Sequence, residues 1–268
     1  MIGAALGLAR ATGRAPKILA VHPPQHSPPN MHAWLWQRVA RVAGGPTDLP
    51  VLGPREAEQL AHRLGIEILR ESDPQCLVRV PWEEKLGADG PAHAMVVGYF
   101  QHEGYLRLAE DEIRALLAPV PEHVAGEVAR VDASCVAIHI RMGDFLASAK
   151  HYIPLEGYYK RAVARAREVF GEGVRFLVFT NDRAAAIAMY GGLLGDGVDV
   201  WQGSCEEADL YAMAQCRGII CPNSTFSWWA AWLAGPKGTW RAIPDRWLTD
   251  RGDVLHQEGA EVIPVGGP

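Results

Sequence analysis

Apolar runs and apolar helical stripes alternate along the second half of the chain. Val136 to Ile140 is apolar except for one histidine, which is typical of a strand buried within a sheet. Between Pro154 and Phe170 apolar side chains recur at helical spacing, which predicts an amphipathic helix. The same rhythm predicts further strands at 175–180, 198–201, 218–221 and 240–243, and helices at 206–216 and 225–234. Strands that alternate with helices of this length indicate an α/β protein with a doubly wound parallel sheet.

The first half has a weaker pattern, which still alternates strands with helices. It predicts helices at 2–12 and 110–117, and strands at 17–21 and within 92–100. The segment from Pro119 to Pro121 is the best candidate for a linker, because its prolines interrupt both kinds of element. The chain is therefore predicted to form two small domains, at 1–120 and 121–268, with a cleft between them.

The composition is that of an ordinary globular chain and excludes several other classes of protein. The 268 residues are 49% hydrophobic and carry a formal net charge of −5, so nucleic acid is not an expected partner. No apolar run is long enough to span a membrane, and the first residues lack the features of a signal peptide. The five cysteines include no Cys-x-x-Cys pair, which favours structural thiols in a reducing compartment over a metal site.

The first stretch with candidate chemistry is the end of the predicted strand at 136–140. His139 and Arg141 are two residues apart, so their side chains share a face, whereas Ile138 and Ile140 face the other way. A glycine and an aspartate follow at once. Ligands bind at this end of the strands in open α/β sheets. A purely structural pair between the arginine and the aspartate explains the same residues equally well.

A second stretch combines a strand end with polar residues and the start of a helix. The predicted strand at 218–221 ends at a proline, and Asn223, Ser224 and Thr225 then lead into a helix with Ser227 in its first turn. Free N–H groups at the start of a helix, together with hydroxyl groups, bind anions. Simple capping of the helix by Ser or Thr is the alternative interpretation, and both stay open.

The third stretch, Thr180-Asn181-Asp182, also follows a predicted strand. Asp182 is expected either to accept hydrogen bonds from a base or sugar, or to cap the next helix. Because parallel strands end at one edge of a sheet, the three stretches are expected to line one cleft and to bind a nucleotide diphosphate. The sequence contains neither a P-loop motif nor an Asp-x-Asp pair, so no metal is expected, and Arg141 would supply the positive charge instead.

Two of these stretches resemble the signatures of a known family. His139-Ile140-Arg141-Met142-Gly143-Asp144-Phe145 is similar to the His-x-Arg-x-Gly-Asp-Tyr motif of the α-1,2-fucosyltransferases. The segments 209–216 and 223–233 resemble the second signature of that family, and Pro154-Leu155 with Tyr158-Tyr159 also matches. The resemblance extends over most of the chain from about residue 95 onward, and the two central motifs together are highly specific.

The resemblance implies a GT-B-like fold, in which two Rossmann-like domains face a cleft. The domain at 1–120 would lie on the acceptor side, and the domain at 121–268 would bind the GDP-sugar. The implied reaction transfers L-fucose from GDP-fucose to the 2-hydroxyl of a terminal galactose of an oligosaccharide acceptor, with inversion. Two alternatives remain, namely a fucosyltransferase of other linkage or acceptor and a non-catalytic GDP-sugar-binding remnant. No cofactor is implied.

The resemblance also implies roles for individual residues. Arg141 would hold the diphosphate, His139 and Asp182 would meet the guanine, and Asp144 would fix the loop that carries Arg141. The segment that follows the predicted strand at 218–221 would bind the phosphate or the fucose through Asn223, Ser224, Thr225 and Ser227. The base that takes the proton from the acceptor is not identified by the motifs. Glu103, Asp144 or no side chain at all are the options left open.

The beginning of the chain departs from the family pattern. Family members start with a strand and a Gly-Gly-Leu-Gly-Asn-Gln loop before their first helix, whereas residues 2–14 resemble that helix without its head. A chain shortened in this way is expected to be less active and prone to aggregation. The segment 23–91 matches nothing in the family and is expected to shape the acceptor site. The expected location is the bacterial cytoplasm, with a peripheral position at the inner membrane as the alternative.

Overall fold

A computed structural model describes residues 8, 11–13, 54–70, 84, 86, 90–91, 93–98, 100–194, 198–250, 252 and 254–266. The predicted strand at 17–21, most of the predicted helix at 2–12 and most of the segment 23–91 therefore lie outside the described residues. The chain divides into two compact units, Met1–Pro119 and Val120–Pro268.

The first unit contains a small parallel sheet and short helices. Its described elements are α1 (Pro54–Arg63), β1 (Glu67–Arg70), β2 (Ala94–Val97), α2 (Gly104–Arg107) and α3 (Glu110–Leu117). The strands β1 and β2 pair in parallel, with Glu67 opposite Ala94. A small buried cluster of Leu8, Leu86 and Tyr105 forms a core in this unit.

The second unit is built on a six-stranded sheet in which every strand pair is parallel. Its strands are β3 (Val136–Ile140), β4 (Phe176–Thr180), β5 (Val198–Val200), β6 (Gly218–Ile220), β7 (Trp240–Pro244) and β8 (Glu261–Ile263). Its described helices are α4 (Glu122–Val128), α5 (Asp144–Ala147), α6 (Glu156–Phe170), α7 (Arg183–Leu194), α8 (Glu206–Met213) and α9 (Thr225–Ala234). The predicted α/β class with parallel sheets is confirmed.

The order of the strands creates a switch point at the centre of the sheet. The order is β5-β4-β3-β6-β7-β8, so the chain runs outward from β3 to β5 and then returns to the other side of β3. The neighbours β3 and β6 therefore carry connections that leave in opposite directions. In open α/β sheets a crevice opens between the carboxyl ends of such a pair of strands.

Two apolar layers cover the two faces of this sheet. Every residue of β3 is buried, as expected for a central parallel strand. Ile138 and Ile140 pack in the core on one face with α6, and Ala137 packs on the other face with α8 and α9. Because side chains alternate along a strand, His139 shares the face of Ala137. The predicted orientation of the two isoleucines into a core is confirmed.

Several elements differ from the sequence-based expectation. Helix α8 ends at Met213 and not at Cys216, because its last residues form a tighter turn with hydrogen bonds from Gln215 to Ala212 and from Cys216 to Met213. The helix α7 was expected only as the helix that Asp182 would cap, and its bounds were not predicted, since its alanine-rich sequence shows little apolar periodicity. The strand β8 was not predicted. Within the described residues, no helix is both long and apolar enough to cross a membrane.

Candidate active site

His139 is buried at the carboxyl end of β3. Its imidazole lies 5.6 Å from the ring of Phe226 on α9, measured between ring centroids. Burial lowers the pKa of His139 to about 3, and the nearby Arg141 acts in the same direction. The Nδ1 atom is buried and has no hydrogen-bond partner within the described residues. The imidazole is therefore neutral at physiological pH and adds no positive charge to this strand end.

Arg141 supplies positive charge at the end of β3. Its side chain is half-buried, and its Cζ atom lies 5.5 Å from the centroid of the Phe145 ring. A guanidinium over an aromatic face gains a cation–π attraction and keeps its planar donors in a fixed direction. In the His-x-Arg motif, the neutral His139 is thus buried, whereas the cationic Arg141 is half-buried.

The turn after β3 is held by Asn181, which follows β4. The Oδ1 atom of Asn181 accepts a hydrogen bond from the Met142 N–H at 2.8 Å, and its Nδ2 donates to the Met142 carbonyl at 3.3 Å. Gly143 has a φ of 68°, which favours glycine, and a Cβ there would lie 3.2 Å from Asn181 Nδ2. Asn181 therefore positions this turn, and the same role for Asp144 stays a prediction. Asp144 begins α5, and its side chain lies outside the described part of the structure.

Asp182 lies at the start of α7 and is exposed. Its Oδ1 accepts a hydrogen bond from the Ala185 N–H at 3.0 Å, which is the geometry of a helix cap. Capping, one of the two roles expected from the sequence, thus occupies one carboxylate oxygen. A contact of Asp182 with guanine stays a prediction.

Two of the four polar side chains of the segment after β6 bind the protein's own backbone. Asn223 is buried, and its Nδ2 donates to the carbonyls of His151 at 2.8 Å and Trp247 at 3.0 Å. Ser227 is fully buried and donates its hydroxyl to the Ser224 carbonyl at 3.3 Å. These side chains form part of the framework around the strand end.

The start of α9 is open by comparison. Ser224 is its N-cap residue, but its hydroxyl makes no capping hydrogen bond to the first turn. Thr225 is exposed, and Phe226 is half-buried beside His139. The N–H groups of the first turn and the Thr225 hydroxyl are therefore the groups of this segment that are best placed to meet an anion.

Two consecutive tyrosines of α6 fix the strand ends relative to one another. The Tyr159 hydroxyl donates to the carbonyl of His139 at 2.8 Å. The Tyr158 hydroxyl donates to the carbonyls of Cys221 at 2.5 Å and Ala242 at 3.0 Å. Burial raises the pKa of both phenols well above the usual value, so both stay protonated as donors. The predicted site segments after β3 and β6 are thus anchored to one helix.

His151 is a candidate site residue that the sequence analysis missed. Its Nδ1 lies 2.8 Å from the Ser148 hydroxyl oxygen, and its ring centroid lies 5.4 Å from that of Phe145. The Asn223 side chain binds its carbonyl, which ties it to the segment after β6. The available sequence signal was a histidine shortly after the first motif and before the predicted helix at 154–170.

Glu103, one of the suggested bases, belongs to the first unit. It is the residue before α2 and is buried, and its carboxylate lies 3.6 Å from the guanidinium of Arg107. A catalytic role of Glu103 stays a prediction.

A cluster of potential metal ligands lies between the first turns of α4 and α8. Ligand atoms of His123, Cys205 and Glu207 lie within 4.8 Å of one another. Burial raises the pKa of the Cys205 thiol, whereas metal binding requires the thiolate. The cluster was not anticipated from the cysteine spacing, and it shares no residue with the segments described above.

Comparison with known protein families identifies the family of this chain. The model of glycosyl transferase family 11 matches residues 86–252, which is more than half of the chain. The chain therefore belongs to glycosyl transferase family 11, and the predicted α-1,2-fucosyltransferase-like family is confirmed.

Two relatives from Escherichia coli are similar to this chain. An alpha-1,2-colitosyltransferase is 27% identical over 161 residues, covering 57% of this chain and 55% of the relative. The O-antigen biosynthesis glycosyltransferase WbnK is 31% identical over 132 residues, covering 47% of this chain and 43% of the relative. The chain thus spans about half the length of the relatives it matches.

Two solved structures are distantly similar. POFUT1 in complex with GDP aligns over 90% of this chain and 92% of its own, with 11% identity and a TM-score of 0.39. A glycosyl transferase of family 9 from Veillonella parvula aligns over 92% of this chain and 85% of its own, with 12% identity and a TM-score of 0.37.

Proposed function

We propose that this protein transfers L-fucose from GDP-fucose to the 2-hydroxyl of a terminal galactose, with inversion at the sugar. Membership of glycosyl transferase family 11 supports a sugar transfer. The names of the relatives support an α-1,2 linkage and a polysaccharide or oligosaccharide as the acceptor. The His-x-Arg motif at residues 139–141 and the segment at 223–233 support GDP-fucose as the donor.

One observation carries this proposal, namely the position of the two motifs at the switch point of the sheet. The motif at 139–145 follows β3 and the segment at 223–227 follows β6, and these strands are adjacent and parallel. The contact between the rings of His139 and Phe226 brings the two segments together. A nucleotide bound between them would have Arg141 on one side and the start of α9 on the other.

The arrangement is suited to stabilising a leaving diphosphate. Negative charge develops on the diphosphate oxygen as the bond to the sugar breaks, and donors fixed before the reaction stabilise that charge. Arg141 would supply a charged donor, and the N–H groups of Thr225 and Phe226 would supply neutral ones. The neutral imidazole of His139 would face the nucleoside, and the guanidinium of Arg141 would face the phosphates.

A colitose donor is the second candidate. One of the two relatives is named for the α-1,2 transfer of colitose, so the same linkage occurs in the family with another sugar. The two candidates share the diphosphate site and differ only in the sugar. A donor series with a single acceptor therefore distinguishes them.

The experiment incubates the protein with lactose and either GDP-fucose or nucleotide-linked colitose. We expect release of GDP together with a trisaccharide whose new linkage is α-1,2 by NMR. A product formed only from the colitose donor would show that the transferred sugar is colitose and not fucose. GDP release without a trisaccharide would exclude transfer to galactose, and no binding of GDP by calorimetry would exclude a GDP-sugar site altogether.

A matched pair of arginines tests the leaving-group site. Arg141→Lys keeps the charge but removes the planar fork of the guanidinium. We expect kcat/KM to fall roughly thirtyfold, which corresponds to a loss of about 2 kcal/mol in transition-state stabilisation. Arg217→Lys is the control, because Arg217 also lies over a phenylalanine ring, that of Phe170, but precedes β6 at the amino edge of the sheet. Equal kcat/KM values for the two variants would remove Arg141 from the diphosphate site.

A further inference from the structure

We propose that His151 accepts the proton of the acceptor hydroxyl during transfer, a role that rests on the function proposed above. Inverting transfer requires a group that removes this proton as the new bond forms. His151 lies in the connection between α5 and α6, which starts from the carboxyl end of β3. Contacts of its ring and of its backbone hold it beside the candidate site.

The first contact fixes the imidazole ring. Nδ1 of His151 and the hydroxyl oxygen of Ser148 are 2.8 Å apart, and the Ser148 carbonyl also accepts the His151 N–H at 3.1 Å. When Nδ1–H donates to the serine oxygen, the lone pair lies on Nε2. A neutral imidazole with one nitrogen occupied as a donor presents the other nitrogen as an acceptor. Because a serine hydroxyl can donate or accept, the contact holds the ring in place, and the Nδ1–H tautomer is part of the proposal. Ser148 is thus a positioning residue.

The second contact places the ring next to the leaving-group site. Phe145 neighbours both His151 and Arg141, with its centroid 5.4 Å from that of the His151 ring and 5.5 Å from the Arg141 Cζ atom. The cation that would hold the diphosphate and the imidazole that would take the proton therefore contact the same phenyl ring. A base must stand close to the reacting centre, and this shared neighbour supports that placement.

The other contacts anchor the backbone of this connection. Asn223 donates to the His151 carbonyl at 2.8 Å, which links it to the segment after β6. Thr249, which follows β7, binds the two neighbouring residues: its N–H and hydroxyl donate to the Lys150 carbonyl and its hydroxyl also lies 3.0 Å from the Tyr152 carbonyl. These bonds use main-chain carbonyls of the connection, so a substitution at the His151 side chain leaves them intact.

Two side chains were named earlier as possible bases. Glu103 lies in the first unit, with its carboxylate 3.6 Å from the guanidinium of Arg107, and Asp144 begins α5. The hydrogen bond of the His151 ring to Ser148 engages Nδ1, so Nε2 is the nitrogen that would meet the substrate.

The proposed step is a single displacement with transfer of one proton. The acceptor oxygen forms a bond to the anomeric carbon of the donor sugar, and the bond from that carbon to the diphosphate oxygen breaks, with its electron pair leaving on GDP. The hydroxyl proton moves to Nε2 of His151, and the resulting imidazolium releases it to water after product leaves. Arg141 compensates the charge on the departing GDP.

The charged groups near the ring are Arg141, which contacts the same Phe145 ring, and Lys150, which is adjacent on the same connection. Thr249, from the segment after β7, contributes a hydroxyl, and the exposed Tyr152 is a further neighbour.

The decisive variant is His151→Gln in the full chain, with GDP-fucose and lactose as substrates. We expect kcat to fall at least about a hundredfold, which is the range of general-base catalysis, while the Kd for GDP and the thermal midpoint stay near those of the wild type. His62→Gln is the matched control, since His62 is an exposed histidine in the last turn of α1. The acid limb of the wild-type kcat/KM profile should disappear in His151→Gln and persist in His62→Gln.

Ser148→Ala provides a second variant that keeps the imidazole. Without the hydroxyl the ring loses the hydrogen-bond partner of Nδ1 that positions it, so we expect kcat to fall about tenfold with KM little changed. A His151→Gln enzyme that turns over at the wild-type rate, or retains the acid limb, would overturn the role of His151 while leaving the proposed function intact. A wild-type protein that binds no GDP and transfers no sugar would overturn the proposed function and this inference with it.

Discussion

The carboxyl ends of β3 and β6 lie side by side, yet their polar residues do different work. After β6, the amide of Asn223 and the hydroxyl of Ser227 are buried and bind the protein's own carbonyls. After β3, Arg141 is half-buried on the face of Phe145, and the turn that follows is held from outside by Asn181. The buried polar side chains after β6 thus stabilise the fold, whereas the segment after β3 has a cation that is only half-buried.

This difference shows that residue type alone does not separate binding groups from framework groups. Both stretches read equally well as ligand sites in sequence, because each places polar residues at a strand end. The hydrogen bonds distinguish them: a donor that already satisfies a buried carbonyl cannot leave it without a cost of about 1–3 kcal/mol. Variants at framework positions and at open positions should therefore differ in stability.

The largest effect should come from the buried histidine of β3. Its pKa is about 3 when folded, against 6.5 for the free side chain, so the unfolded state binds more protons between these values. This contribution to stability is therefore complete above pH 6.5 and is lost as the pH falls toward 3. Each tenfold difference in proton affinity corresponds to about 1.4 kcal/mol, so the loss amounts to several kcal/mol. Urea unfolding of wild type and His139→Gln across this range measures it. A variant with the same pH dependence as the wild type would show that His139 is not buried as a neutral group.

The next effect tests the framework after β6. Asn223→Ala leaves the carbonyls of His151 and Trp247 without their donor, and we expect a loss of about 3 kcal/mol in the free energy of unfolding. Asn223→Asp should be no better, because a carboxylate keeps the shape but donates nothing. Thr225→Ala is the neighbouring control, since this exposed side chain should change stability by less than about 0.5 kcal/mol. Equal stabilities for the Asn223 and Thr225 variants would abolish the contrast between framework and open positions.

A smaller effect is expected at the turn after β3. Gly143→Ala must adopt a φ of 68° and brings a Cβ to 3.2 Å from Asn181 Nδ2, so we expect a cost of about 2 kcal/mol in stability. Gly173→Ala is the control, because a Cβ at Gly173 meets nothing within 4 Å and its backbone needs no positive φ. Chemical denaturation of both variants makes the comparison. A Gly143→Ala variant as stable as the wild type would mean that the turn relaxes without Asn181.

No effect at all is expected from removing divalent metal. The sequence has no Asp-x-Asp pair, and the charge at the strand end comes from Arg141, so transfer should survive EDTA. Initial rates with and without chelator, followed by added Mg²⁺ or Mn²⁺, test this. A strict requirement for added metal would show that a metal site that the motifs do not predict, and not the end of β3 alone, stabilises the leaving group.

The sequence predicted much of the second unit because its elements are periodic and long. β3 and α9 have the predicted bounds, and the pairing of β3 with β6 follows from the parallel alternation of strands and helices. Other features depend on contacts between distant residues. The hydrogen bonds of Asn181 to Met142 and of Asn223 to His151 span 39 and 72 residues, and no local pattern signals them.

The tyrosine pair of α6 has a bearing on how such a protein diversifies. Tyr158 and Tyr159 bind backbone carbonyls near the end of β3, just after β6 and within β7, so the geometry of these strands does not depend on which side chains follow them. Exposed positions such as Thr225 can then change over generations without loosening the scaffold. A lineage with this architecture can therefore vary the exposed side chains at this edge of the sheet while the backbone that carries them stays in place.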